Sequence, residues 1–105
     1  MTKKENFRTE SDLLGTKNVP EEAFYGVQTL RAMENFHISG NLLSNYPNFI
    51  RGLAITKKAA AIANVEVGMI TPEQGEAIEW ACDQLIEGKY HDQFPIDMIQ
   101  GGAGT

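Results

Sequence analysis

The chain has 105 residues, with 9 basic against 14 acidic side chains, a formal charge of −5, 42% hydrophobic residues and 22% charged ones. Those proportions exclude a chain disordered throughout, and the acidic balance excludes a surface built to neutralise a nucleic acid backbone. No apolar run reaches the roughly 20 residues that span a bilayer, so neither nucleic acid nor membrane is an expected partner.

The start, Met1-Thr2-Lys3-Lys4-Glu5-Asn6, has no apolar stretch behind its lysines and does not read as a signal peptide. Residues 1–7 read as disordered. Leu13-Leu14-Gly15-Thr16 suggests two short extended pieces joined at the glycine, a small β or irregular arm. Thr9-Glu10-Ser11-Asp12 has capping-box spacing, but Gly15 follows too soon for a helix. Pro20 is placed at the opening of a helical turn, where its missing N–H is harmless. Tyr25 to Phe36 then sets Val27, Leu30, Met33 or Glu34, and Phe36 near one face at helical spacing. Ser39-Gly40-Asn41 breaks the chain into a loop.

Two longer helices follow. The first runs from about Pro47 to Val67, with Phe49, Ile50, Leu53, Ala60, Ala63 and Val67 as its expected stripe and Gly68 as its stop. The second begins at Thr71-Pro72-Glu73-Gln74, which combines an N-cap, a first-turn proline, an acid facing the helix dipole and a capping-box partner. Ala77/Ile78, Ala81/Cys82 and Leu85/Ile86 form its stripe and Gly88 ends it. The short connection predicts an antiparallel pair. The expected fold class is therefore mainly α, in a single domain over residues 1–105.

Most candidate chemistry has a plain structural reading. Cys82, the one cysteine, lies in an apolar stripe and is expected to be a buried, inert thiol. With no possible internal disulfide, a reducing, cytoplasmic setting is the default. His37 and His91 lack paired-ligand spacing, so no metal site is expected. Trp80 is expected half-buried on its helix. Asp92 and Asp97 flank Phe94-Pro95 and suit turn or capping roles better than an acid–base pair. Lys57-Lys58 read as a solvated face with one stem packed along it. Arg31 calls for a bidentate carboxylate, the protein's own or a ligand's.

The ending, Gln100-Gly101-Gly102-Ala103-Gly104-Thr105, is the feature that physics reads as functional. Tandem backbone N–H groups free of bulky side chains can cradle an anion, and the Thr105 hydroxyl can donate to it. No lysine follows as in a Walker loop, and no strand precedes at dinucleotide-fold spacing. Carboxylate or oxyanion recognition is left, and a binding loop of this kind is expected to feed a following helix.

Asp12-Leu13-Leu14-Gly15-Thr16, Tyr25-Gly26-Val27-Gln28-Thr29-Leu30-Arg31-Ala32, Glu34-Asn35-Phe36, Lys57-Lys58-Ala59-Ala60, Asp92-Gln93-Phe94-Pro95 and Gln100 to Thr105 occur in one order. As a set, from about Arg8 onward, they resemble the opening of the aspartate ammonia-lyases, within the aspartase/fumarase superfamily. Class II fumarate hydratases are similar but tend to carry Trp-Gly-Ala-Gln-Thr-Gln-Arg and Gln-Thr-Gly-Ser-Gly-Thr. Gln28, where many aspartases have His, is shared with the fumarases. The resemblance implies a longer helical chain whose central bundle, absent here along with a C-terminal domain, assembles as a homotetramer. It implies elimination of ammonia from aspartate to give fumarate, with no cofactor. Thr105, with Gly102, Ala103 and Gly104, would bind the dicarboxylate substrate, and Arg31 would support the site. No catalytic base falls within these residues, so the segment alone is expected to be inactive. A non-catalytic helical interaction module is the alternative from another class.

Overall fold

The computed structural model describes residues 6–99. They form two compact units, one of residues 6–42 with 93–99 and one of residues 43–92.

In the first unit β1 (Phe7–Asp12) and β2 (Gly15–Pro20) make a two-stranded antiparallel sheet, in register from Phe7↔Pro20 to Asp12↔Gly15. Leu13 and Leu14 form the turn, where the Leu14 N–H donates to Asp12 Oδ1 at 3.0 Å. Gly15 takes φ +124°, a backbone that a side chain would resist. Phe7, placed by the sequence in a disordered start, is instead the first paired residue of β1. Pro20 ends a strand rather than opening a helix. The end of an edge strand tolerates its missing donor, and its carbonyl accepts from the Ala23 N–H at 3.1 Å to turn the chain.

Helix α1 (Val27–Asn35) starts at Gly26, which has no side chain to cap it. The cap comes from β1: Glu10 Oε1 accepts from the Val27 N–H at 2.9 Å. A Cβ at Gly26 would lie 3.0 Å from that oxygen, so the glycine admits the strand's carboxylate to the helix end. Val19 and Val27 are this unit's buried apolar side chains.

The second unit is a helix pair, α2 (Pro47–Glu66) and α3 (Pro72–Ile86). Gly68 and Gly88 take φ of +77° and +95° just past the two helices, as the sequence predicts. The capping box of α3 is formed: Thr71 Oγ1 accepts from the Gln74 N–H at 3.1 Å, and Gln74 Oε1 from the Thr71 N–H at 2.9 Å. The pair is antiparallel, since Val65 meets Gly75, Lys58 meets Asp83 at 2.7 Å and Arg51 meets the Ile86 carbonyl at 3.1 Å.

Those contacts shift the buried stripe of α2. Arg51, Ala54, Lys58, Ala61 and Val65, spaced three and four apart, share the face toward α3. Ile50, Ala54 and Ala61 are buried, whereas the expected Phe49, Leu53, Ala60, Ala63 and Val67 are exposed. Apolar residues surround α2, so period alone did not select the face; small side chains, which let the helices approach, decided it. On α3, Gly75 and Cys82 are buried and Ala77, Ile78 and Ala81 are exposed. Trp80, expected half-buried, is 63% exposed. Among the described residues no helix is long and apolar enough to cross a membrane.

Candidate functional site

Two arginines tie the hairpin of the first unit to the segment after it. Arg8 donates to Glu10 at 2.6 Å and to the carbonyls of Pro20, Glu21 and Tyr25 at 3.0, 3.0 and 2.8 Å. Arg31, on α1, grips Asp12 bidentately, Nε to Oδ2 at 3.0 Å and Nη2 to Oδ1 at 2.9 Å, and also donates to the Gly15 carbonyl at 3.0 Å. The carboxylate that Arg31 calls for is therefore the protein's own. These partners hold both acids below the usual carboxylate range: Glu10 through Arg8 and the Val27 amide, Asp12 through Arg31 first. Ser11, Gln28, Arg31, Ala32 and Asn35 line an open depression of about 670 Å³ beside the exposed Leu13 and Leu14.

Asp97 is the most elaborately held side chain of this unit, and its residue is only 3% exposed. Its Oδ2 accepts from the N–H groups of Ile38, Ser39 and Gly40 at 3.1, 2.8 and 3.2 Å. Its Oδ1 accepts from the Ser39 hydroxyl at 2.7 Å and from the Ile99 N–H at 2.9 Å. Successive amides converging on one oxygen are the anion-binding nest that backbone forms around a turn, and here its occupant belongs to the chain. The Ser39 hydroxyl, then the Ile99 amide, hold the Asp97 carboxyl far below the ordinary range despite burial. Alongside, Leu42 and Asp97 form an antiparallel bridge, and the Met98 N–H donates to the Asn41 carbonyl at 2.8 Å.

Of the residues singled out from sequence, Thr105, Gly102, Ala103 and Gly104 lie outside the described residues. Ile99, the last described residue before them, is held directly by Asp97. Cys82 is a buried thiol whose pKa is pushed up by burial. His91 Nε2 contacts the Leu85 carbonyl at 2.8 Å, at the end of α3. Lys57 is exposed while Lys58 is half-buried on Asp83, as the packed-stem reading anticipates. Among the described residues no group of three or more His, Cys, Asp or Glu side chains could hold a metal ion. Asp97, which the sequence suits to a turn or capping role, fills that role; what the sequence does not show is that the turn it holds is Ile38-Ser39-Gly40, 57 to 59 residues away.

A hairpin arm, a short helix capped from a strand, and an antiparallel helix pair, in a chain whose sequence goes on to Gln100-Gly101-Gly102-Ala103-Gly104-Thr105, define a class. The family described as Lyase matches residues 15–105, and the chain belongs to it. It is 55% identical over 101 residues to the aspartate ammonia-lyase of Escherichia coli K12, covering 95% of this chain and 21% of that protein. The fumarate lyase:delta crystallin of Brucella melitensis superposes with a TM-score of 0.91 at 44% identity, over 94% of this chain and 22% of its own. The class II fumarase of Schistosoma mansoni follows at 0.87 and 33%, over 95% and 21%. The chain thus spans about a fifth of the length of the curated relatives it matches.

Proposed function

We propose that the chain is the N-terminal part of an aspartate ammonia-lyase, a cytoplasmic homotetramer that reversibly eliminates ammonia from L-aspartate to give fumarate. One observation carries this reading. Identity is 55% to the Escherichia coli aspartate ammonia-lyase and 33% to the class II fumarase, each over 95% of the chain.

The elimination removes a weakly acidic proton from the carbon beside the side-chain carboxylate, and ammonia leaves the adjacent carbon. Negative charge develops on that carboxylate as the carbanion spreads into a dianionic aci-acid. Donors aimed at its oxygens are worth most where the charge is greatest. The proposed donors are the backbone amides of Gly102, Ala103 and Gly104 with the Thr105 hydroxyl. Thr105 positions and stabilises; it is not the base. Arg31 contributes indirectly, by holding the hairpin on α1. The base and the remaining contacts belong to the rest of the longer protein, so residues 1–105 alone turn nothing over. No cofactor takes part.

The test is fumarate formation by the full-length protein from L-aspartate and from L-malate. Fumarate from aspartate alone is expected; fumarate from malate alone would overturn the reading in favour of a hydratase. Thr105→Ala should lower kcat/KM by about 100-fold, the cost of one lost oxyanion donor, with an unchanged gel-filtration volume. A near-wild-type value would remove Thr105 from the site.

A further inference from the structure

We propose that the tip of the hairpin, Leu13-Leu14, is an assembly contact: the two leucines enter an apolar, uncharged pocket on a second copy of the protein. The inference rests on the homotetramer in the reading above and names a surface that holds it together.

Leu13 and Leu14 are the most exposed large apolar side chains among the described residues, at 106% and 78%. They edge the open depression beside α1 without filling it, so their own unit leaves them in water. Nothing about closing the turn asks for leucine. Two-residue hairpin loops favour Asn, Asp and Gly, which take a positive φ readily, and neither Leu13 nor Leu14 has one. The turn is shaped from its flanks instead. Asp12 Oδ1 accepts from the Leu14 N–H, and Arg31 holds both the Asp12 carboxylate and the Gly15 carbonyl across the turn. Apolar side chains on a turn fixed before it meets a partner lose less freedom on docking.

The composition of the ribbon behind the tip points to a separate body as the partner. The two strands reach α1 through polar contacts: Glu10 on the Val27 amide, Asp12 on Arg31 and Lys17 on Glu34. The sheet's buried apolar side chain is Val19, four residues beyond Gly15, or about 14 Å of extended strand. A ribbon buried near its root, polar along its length and apolar at its end joins two cores rather than covering one. Charge favours a second copy as the other core. Copies of a chain with a formal charge of −5 repel one another over most of their surface. The tip is an exception, because Asp12 and Arg31 neutralise each other beneath two leucines.

The experiment uses the full-length protein with p-benzoylphenylalanine in place of Leu13, irradiated at low concentration and run on a denaturing gel. A species of twice the subunit mass is expected, with mass spectrometry finding this protein on both sides of the link. The same photoreactive residue at Thr9, exposed on the polar stretch of β1, should give none. A link confined to the tip's own chain, no link at all, or equal linking from Thr9 would overturn the inference. Leu13→Ser combined with Leu14→Ser should raise the concentration at which the oligomer half-dissociates at least about tenfold, the least that burying one leucine is worth. Both side chains are exposed, so this variant spares the unit's own packing, and an unchanged value would also count against the contact. Aspartate turnover by the unsubstituted protein separates the two ideas. An inert tetramer whose tips link between copies fails the lyase reading alone, and an active tetramer whose tips link only within their own chains fails this inference alone. A monomeric full-length protein overturns both the tetramer and the contact.

Discussion

Asp97 keeps its charge almost out of water because donors surround it, and that has a pH consequence of definite sign. Its carboxyl binds a proton less readily in the folded chain than at the ordinary value of 3.8. The stability it contributes is therefore complete above that value and is lost as pH falls through the lower native-state value. Glu10 and Asp12 are shifted in the same direction and add to the same acid sensitivity. The gap in apparent melting temperature between wild type and Asp97→Asn should be widest at neutral pH and narrow as the pH falls below 3.8. A gap that stayed constant into acid would mean that the carboxylate's charge is not what holds the turn. Little of this is legible from sequence, because a nest is assembled by residues distant along the chain. Arg31 was more legible: an arginine on a short helix announces a carboxylate, though not that Asp12 is the one.

Among the elements, whatever is decided locally was readable and whatever is decided by packing was not. Thr71-Pro72-Glu73-Gln74 specifies the start of α3 with four adjacent residues, and the capping box forms as written. Gly15, Gly68 and Gly88 mark turns because each needs a positive φ. The face of α2 is a different matter, since a helix with apolar residues all round has no phase of its own. The seam with α3 depends on Gly75, where a Cβ would collide with the Cγ2 methyl of Val65. Val65 is stiff about χ1 in a helix and yields little. Gly75→Ala should therefore destabilise the protein, since overpacking costs about 1–3 kcal/mol and outweighs the roughly 1 kcal/mol that alanine gains in helix propensity. With Val65→Ala in place, the same substitution should become neutral or stabilising in thermal unfolding. Destabilisation that persisted would show that the two residues do not meet.

At the scale of the whole molecule, many bulky apolar residues of the helix pair lie outside its seam, although Ile50 is fully buried. Phe49, Leu53, Ile55, Ile62, Ile78 and Trp80 are all exposed, and Phe49 is 54% so. Scattered exposed apolar residues are ordinary, but helices apolar on several faces belong to larger cores. The matched relatives are about five times as long, and under the proposed function these faces would be covered by the rest of such an enzyme. Residues 1–105 expressed alone should accordingly bind a hydrophobic dye and self-associate, while the full-length protein binds little dye. A monodisperse, dye-silent segment that unfolds cooperatively would instead favour an autonomous helical module.

The carboxylate of Glu10 on the Val27 amide carries a consequence for the order in which the chain assembles. A helix of nine residues is marginal by itself, and α1 has its start supplied by another element. Until β1 is in place, the helix lacks both its N-terminal cap and the Arg31–Asp12 ion pair. Hydrogen exchange at Val27 should therefore follow the opening of the sheet rather than fraying of the helix, and Glu10→Gln should speed it. In a chain synthesised from its N-terminus, the hairpin emerges first and is waiting when the helix that depends on it arrives.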